Sequence, residues 1–268
     1  MSDHSYALDE ALHLEPLGPG HYRLGAAQAY WNFTSAFGGW ALAAAFAGVS
    51  RHEDSAGDLL TLGAVFPDAL PEEPLDLHVS PIRMRSRTQF WKAQIVRPEQ
   101  TGAVLFECQL VLSKRKEHET GFDRPPPAAK APEDCTEMDM TMGLKWLRHY
   151  RQRPVSGTPF SKQEEPASLV WIEEADGRPW DEAGLIAVSD TMMPRVFFAD
   201  TVPRFGATAS YSLHSFVTAE EIRKLGTMPL LVETNSDAIA LGSYDQRARV
   251  WSQAGQLLFV TNQVGIFR

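Results

Sequence analysis

Hydrophobic patterning along the chain switches between two periods, and the switch happens twice. Residues 38–50, GGWALAAAFAGVS, are apolar on every side at the helical repeat, so they predict a helix enclosed by protein. LLTLGAVF (59–66), LDLHVSPIRM (75–84), TQFWKAQIVR (88–97) and AVLFECQLVLS (103–113) then read as strands. PDALPEEP, RSR and PEQTG between them carry turn residues. One helix followed by four closely connected strands predicts an antiparallel sheet wrapped on that helix.

The pattern breaks after residue 113, where charge and Pro125-Pro126-Pro127 predict an extended linker. Beyond it the order starts again. ASLVWI (167–172) is an apolar run, and WDEAGLIAVSD (180–190) predicts a helix with Asp181 and Glu182 in its first turn, where the helix dipole favours acids. TASYSLHSF (208–216), MPLLVETNSDAIA (228–240), SYDQRARVWS (243–252) and QLLFVTNQVGIF (256–267) read as strands, with Gln253-Ala254-Gly255 as a hairpin turn. The closing strands match locally, Gly102-Ala-Val-Leu-Phe106 against Gly255-Gln-Leu-Leu-Phe259. We read a duplicated unit, with residues 1–115 and 141–268 as the copies and 116–140 as the linker.

Composition narrows the function classes. The chain has 268 residues, 44% of them hydrophobic, enough for a core without metal or disulfides. A net charge of -9 argues against a nucleic-acid partner. The longest apolar run, WALAAAFAGV (40–49), covers ~15 Å as a helix, too short for a membrane span. MSDHSYALDEALHLE has no basic-then-apolar signal pattern. Cys108 and Cys135 form no CxxC, and so few thiols point to a reducing cytoplasm; Cys108, among apolar neighbours, is expected in the core. GxSxG, HExxH, GxGxxG and GxxxxGK[ST] are all missing from the sequence, so no serine elbow, metal site or cofactor is expected.

Five segments, taken in order, carry a family resemblance: FGGW before the apolar helix, SPIRMRSRTQFW, VSD (188–190), ATASYSLHSF (207–216) and TNQVGIFR (261–268). The last has the form T-x-Q-x-G-x-x-R. From about residue 20 to the end, the chain resembles the acyl-CoA thioesterase II family. The resemblance implies an α+β tandem, or double, hotdog: two curved antiparallel sheets, each wrapping a central helix. It further implies hydrolysis of an acyl-CoA thioester in lipid metabolism, assembly into a homo-oligomer, and a water held by an Asp, a Thr or Ser, and a Gln. These fall on Asp190, Thr208 and Gln263; a register one residue different would hand the hydroxyl role to Ser210. The family's hairpin often carries a glycine that RMRSRT lacks.

Each candidate also has a plain reading. Asp190 lies between LIAV and Met192-Met193-Pro194, where an apolar setting would raise its pKa and make it a better base; otherwise it fixes the helix end or pairs with Arg195. Alternation puts Thr208, Ser210, Ser212 and His214 on one face, either solvated or lining a wet site. Gln263 sits among Phe259, Val260, Val264, Ile266 and Phe267, which predicts a buried amide needing partners. Gly38 and Gly39 at a helix start could supply oxyanion N–H donors or permit close packing. Arg83, Arg85 and Arg87 could meet coenzyme A phosphates or form a solvated turn. Trp40, Phe66, Trp91 and Phe197 are candidates for the acyl pocket wall. Two rival functions stay open: a non-catalytic acyl-CoA binder, and an enoyl-CoA hydratase, whose short Asp/His motif with Asn and Pro is not seen in this sequence.

Overall fold

The apolar run at Gly38 forms helix α2 (Gly38–Ser50) with the predicted bounds, and Trp40 through Ala45 are fully buried. Alanine and leucine favour the helix, and burial on every side supplies its stability. The computed structural model describes residues 5–98, 103–116, 121–139, 143–202 and 204–268. Before α2 lie a short helix α1 (Ala7–Ala11) and a hairpin the sequence reading missed, β1 (Leu14–Gly18) and β2 (His21–Leu24). After it come β3 (Asp58–Val65), β4 (Leu75–Met84), β5 (Thr88–Val96) and β6 (Val104–Ser113). The PEQTG turn falls largely outside the described residues.

The second half has the same plan. It comprises β7 (Tyr150–Ser156), β8 (Ser168–Glu174), α3 (Glu182–Val188), α4 (Val196–Ala199), β9 (Gly206–Ser215), α5 (Ala219–Lys224), β10 (Leu230–Asn235), β11 (Ile239–Ala240), β12 (Ser243–Trp251) and β13 (Leu257–Phe267). The turn at Gly255 has φ +89°, a conformation glycine adopts freely. The run read as one strand over 228–240 is two, β10 and β11.

All strands join one antiparallel sheet in the order β1-β2-β4-β5-β6-β3-β9-β13-β12-β10-β8-β7, with β11 on β12. The first six come from the first half and the last six from the second, so β3 against β9 is the seam. Each half-sheet curls over its own helix, the double hotdog that the resemblance implies. One continuous core runs through both halves and includes Cys108. Residues 121–139 lie along the second half: the Trp251 and Trp171 indole N–H groups donate to the carbonyls of Arg124 (2.9 Å) and Lys130 (2.8 Å). No helix is long and apolar enough to cross a membrane among the described residues.

Helix α3 is shorter than the predicted 180–190. Asp181 is its N-cap, accepting from Gly184 N–H at 2.7 Å. At the other end the Ser189 and Thr191 hydroxyls donate to the carbonyls of Ile186 (2.6 Å) and Val188 (2.7 Å), and Pro194 bars further helix. This early stop releases Asp190 from the helix.

The inner face of β7 and β8 carries a buried acid. Glu174, paired with Tyr150, is 5% exposed, and burial pushes its pKa up to about 8; Arg178 opposes the shift while Asp176, Asp181 and Asp9 add to it. Between the ordinary 4.5 and about 8 the folded chain holds a proton that the unfolded chain has lost. Stability therefore falls as pH rises through that window. Glu174→Gln should flatten the fall and gain on the order of 1–2 kcal/mol over wild type at pH 9, read by urea denaturation at pH 5 and 9. An unchanged pH slope would refute it.

Candidate active site

The start of α2 meets the end of α3 at Asp190. Its carboxylate faces the N-terminus of α2, which has no side-chain cap of its own. Gly39 N–H donates to it, and a Cβ on Gly38 would stand 2.5 Å from Asp190 Oδ2. An acid at the end of α3 opposes that helix's dipole, but here it answers the dipole and free N–H groups of the longer α2. Burial still dominates: it pushes the Asp190 pKa up to about 7, with the Gly39 N–H pulling the other way. The Gly39 N–H therefore serves the carboxylate. Arg195 does not pair with Asp190; its hydrogen bonds go elsewhere.

Thr208 and Gln263 come together. Thr208 Oγ1 donates to Gln263 Oε1 at 3.0 Å, and Gln263 is 7% exposed. Their convergence depends on a bulge. The β9–β13 register pairs Val264 with Ser210 and then Gly265 with Thr208, so Ala209 is the extra residue. Thr208 thereby moves to the inner face with Gln263, while Ser210, Ser212 and His214 keep the outer one. The shared face expected from simple alternation does not form, and Ser210 lies across the sheet from Gln263. On β13 alternation does hold: Val264 and Ile266 face outward, 44% and 55% exposed, and Gln263 faces inward.

Asp190 is tied to this pair from both sides, without a direct hydrogen bond to either. Tyr211, opposite Gln263 in register, donates to Ser189 Oγ at 2.6 Å, one residue before Asp190. The Phe66 ring lies 3.4 Å from the Gly38 Cβ position, and Phe66 N–H donates to Ala209 carbonyl at 3.2 Å, one residue after Thr208. Tyr244 packs its ring on Gly265, where any Cβ would overlap it. Tyr211, Tyr244 and Phe66 thus flank the acid and the Thr208–Gln263 pair. Of the pocket candidates only Phe66 is placed in these contacts. Phe197 stacks on Phe160 at 4.8 Å, Trp40 is buried with its indole N–H on Ala11 carbonyl, and Trp91 packs on His52.

The basic hairpin is not part of this cluster. Arg83, Arg85 and Arg87 are exposed at the β4–β5 turn, and Thr88 pairs with Ser113, which pairs with Asp58. Asp58 is the opposite end of β3 from Phe66, about 25 Å away at strand spacing. Among the described residues, His21, Asp76 and His78 form a group with metal-ligand atoms within 4.8 Å, although Asp76 is already held by Arg23 at 2.5 Å. It lies on β2 and β4, away from Asp190.

Residues 27–113 match the acyl-CoA thioesterase N-terminal domain and residues 132–267 the acyl-CoA thioesterase C-terminal domain. A search of curated proteins returns no match. A conserved protein of unknown function with a hot dog fold, from Alicyclobacillus acidocaldarius, superposes with TM-score 0.93 at 26% identity, covering 98% of each chain. A tesB protein of Mycobacterium avium subsp. paratuberculosis (TM-score 0.78, 17% identity) covers 97% of this chain and 98% of its own. An acyl-CoA thioesterase II of Mycobacterium marinum (0.74, 18%) has the same coverages. The chain belongs to the acyl-CoA thioesterase family.

Proposed function

We propose that this protein hydrolyses acyl-CoA thioesters with a water held by Asp190, Thr208 and Gln263. The observation that carries the reading is the Thr208–Gln263 hydrogen bond, made possible by the bulge at Ala209, beside a carboxyl whose pKa is about 7. With Gln263 Oε1 taken by Thr208, its Nε2 is free to donate to a water lone pair. Thr208 Oγ1 can accept one water proton and Asp190 the other. That leaves the second lone pair aimed at the thioester carbonyl. Asp190 takes the proton as water adds, the C–S bond breaks, and the thiol of coenzyme A leaves with that proton restored. Substrate class, homo-oligomeric assembly and a cytoplasmic location remain parts of this reading, drawn from the family and the sequence.

The test is release of coenzyme A from short, medium, long and aromatic acyl-CoAs. Folded protein inert across all four overturns the reading and leaves an acyl-CoA binder, which calorimetry would detect. Crotonyl-CoA hydration without coenzyme A release would favour the hydratase. Within the hydrolase reading, Thr208→Ala should cost about ten- to a hundredfold in kcat and Thr208→Ser much less, because only the hydroxyl is needed. Equal losses in both variants would remove Thr208 from the mechanism.

A further inference from the structure

Arg195 is 1% exposed, yet no carboxylate pairs with it among the described residues. Its donors reach only neutral acceptors: Met193 carbonyl (2.7 Å), Ser168 Oγ (2.9 Å) and Gln246 Oε1 (3.3 Å). The Phe198 ring lies 3.9 Å from its guanidinium carbon. A guanidinium has five N–H donors, and burying the charge without a counter-charge is costly. Burial lowers its pKa only to about 9, with Tyr244 opposing, so at neutral pH it stays charged.

A small cavity lies against it, lined by Gln152, Ser168, Met192, Met193 and Phe198 together with Arg195. Gln152 is 2% exposed, and its Nε2 donor has no partner. Two buried donor groups, one of them cationic, therefore line a space with no acid in its walls among the described residues. It has room for about one water, too little for a long alkyl tail, and its two donor groups suit an anionic end group. The flexible thioethers of Met192 and Met193 can shift to admit a short chain. The cavity is also close to the proposed chemistry. Gln246, which accepts from Arg195, stands directly opposite Gln263 across β12 and β13, and Met192 is two residues beyond Asp190.

We propose that the acyl group hydrolysed here is short and ends in a carboxylate, which Arg195 and Gln152 bind, so that the substrate class is an ω-carboxyacyl-CoA. This rests on the thioesterase reading above. The experiment compares kcat/KM of the wild type for succinyl- and glutaryl-CoA with that for butyryl- and hexanoyl-CoA. We expect at least a tenfold preference for the ω-carboxylates, expressed in KM, and its collapse to a ratio near one in Arg195→Met. Glutarate, but not butyrate, should also raise the wild-type Tm, a readout that needs no variant. A wild type that prefers neutral chains, or treats both alike, overturns this inference and leaves the thioesterase reading standing. Release of coenzyme A from none of the four nor from the wider panel overturns both.

Discussion

Asp190→Asn should lower kcat by about 10²–10⁴-fold and leave the fold intact. The amide keeps an oxygen that can accept from Gly39 N–H, so the first turn of α2 stays capped, but it cannot take a proton from water. The wild-type pH profile gives an independent check. A carboxyl with pKa about 7 must be ionised to act as base, so kcat/KM should rise with pH through about 7 and level off above it. The same raised pKa means that the partly desolvated charge weakens the fold at high pH, so Asp190→Asn should melt no lower than wild type at pH 8. A variant of unchanged activity, or a wild-type limb near the ordinary carboxyl value, would take Asp190 out of the base role.

How much of this is legible in the sequence depends on the period of the pattern. FGGW and the apolar run after it located α2 to the residue, because burial on every side leaves an unbroken signature. β1 and β7 hid because Pro16 and Gly18 interrupt one, and Arg151, Arg153 and Pro154 give the other no apolar alternation. Helix α5 carries a readable signal, the capping box from Thr218 to Glu221, in the stretch between the predicted strands 208–216 and 228–240. In the site, Asp190 and Gln263 followed from local motifs. The face of Thr208 did not, because a one-residue bulge inverts every side chain on one side of it, and no periodicity records a bulge in advance. The alternative pairing of Asp190 with Arg195 does not form, because Arg195 is taken up by Ser168 and Gln246, 27 and 51 residues away in sequence.

The double hotdog has two places where one helix start meets the other helix end, and they differ. At the start of α2 stand two glycines and the Asp190 carboxylate. At the start of α3 the corresponding space is crossed by Arg115, which donates to Leu59 carbonyl (2.5 Å) and Ser215 carbonyl (2.6 Å). Glu182 Oε1 accepts there from Leu59 N–H at 3.2 Å. That end is closed by structural hydrogen bonds across the β3–β9 seam. In the proposed mechanism the first half would therefore contribute a helix terminus and Phe66, and the second half the acid, hydroxyl and amide.

Gly38 and Gly39 should respond very differently to alanine, and the contrast separates packing from chemistry. A Cβ on Gly39 would overlap the Ala187 carbonyl and the edge of the Phe37 ring. Backbone cannot swing aside, so α2 and α3 would have to part where they cross inside the shared core. Overpacking of this kind costs about 1–3 kcal/mol and more when rigid backbone is the obstacle, so Gly39→Ala should lower the unfolding free energy by about 3 kcal/mol or more. A Cβ on Gly38 would instead meet Asp190 Oδ2 at 2.5 Å and the Phe66 ring at 3.4 Å. Those groups are side-chain ends that can rotate. Gly38→Ala should therefore fold with a modest loss, near 1 kcal/mol, yet push the carboxylate off its position and reduce kcat at least tenfold. Urea denaturation and steady-state rates on the two variants distinguish the cases. If Gly38→Ala kept full activity, the carboxylate's place at the start of α2 would not matter for catalysis. If Gly39→Ala unfolded at the wild-type midpoint, the close approach of α2 and α3 would not be what requires glycine there.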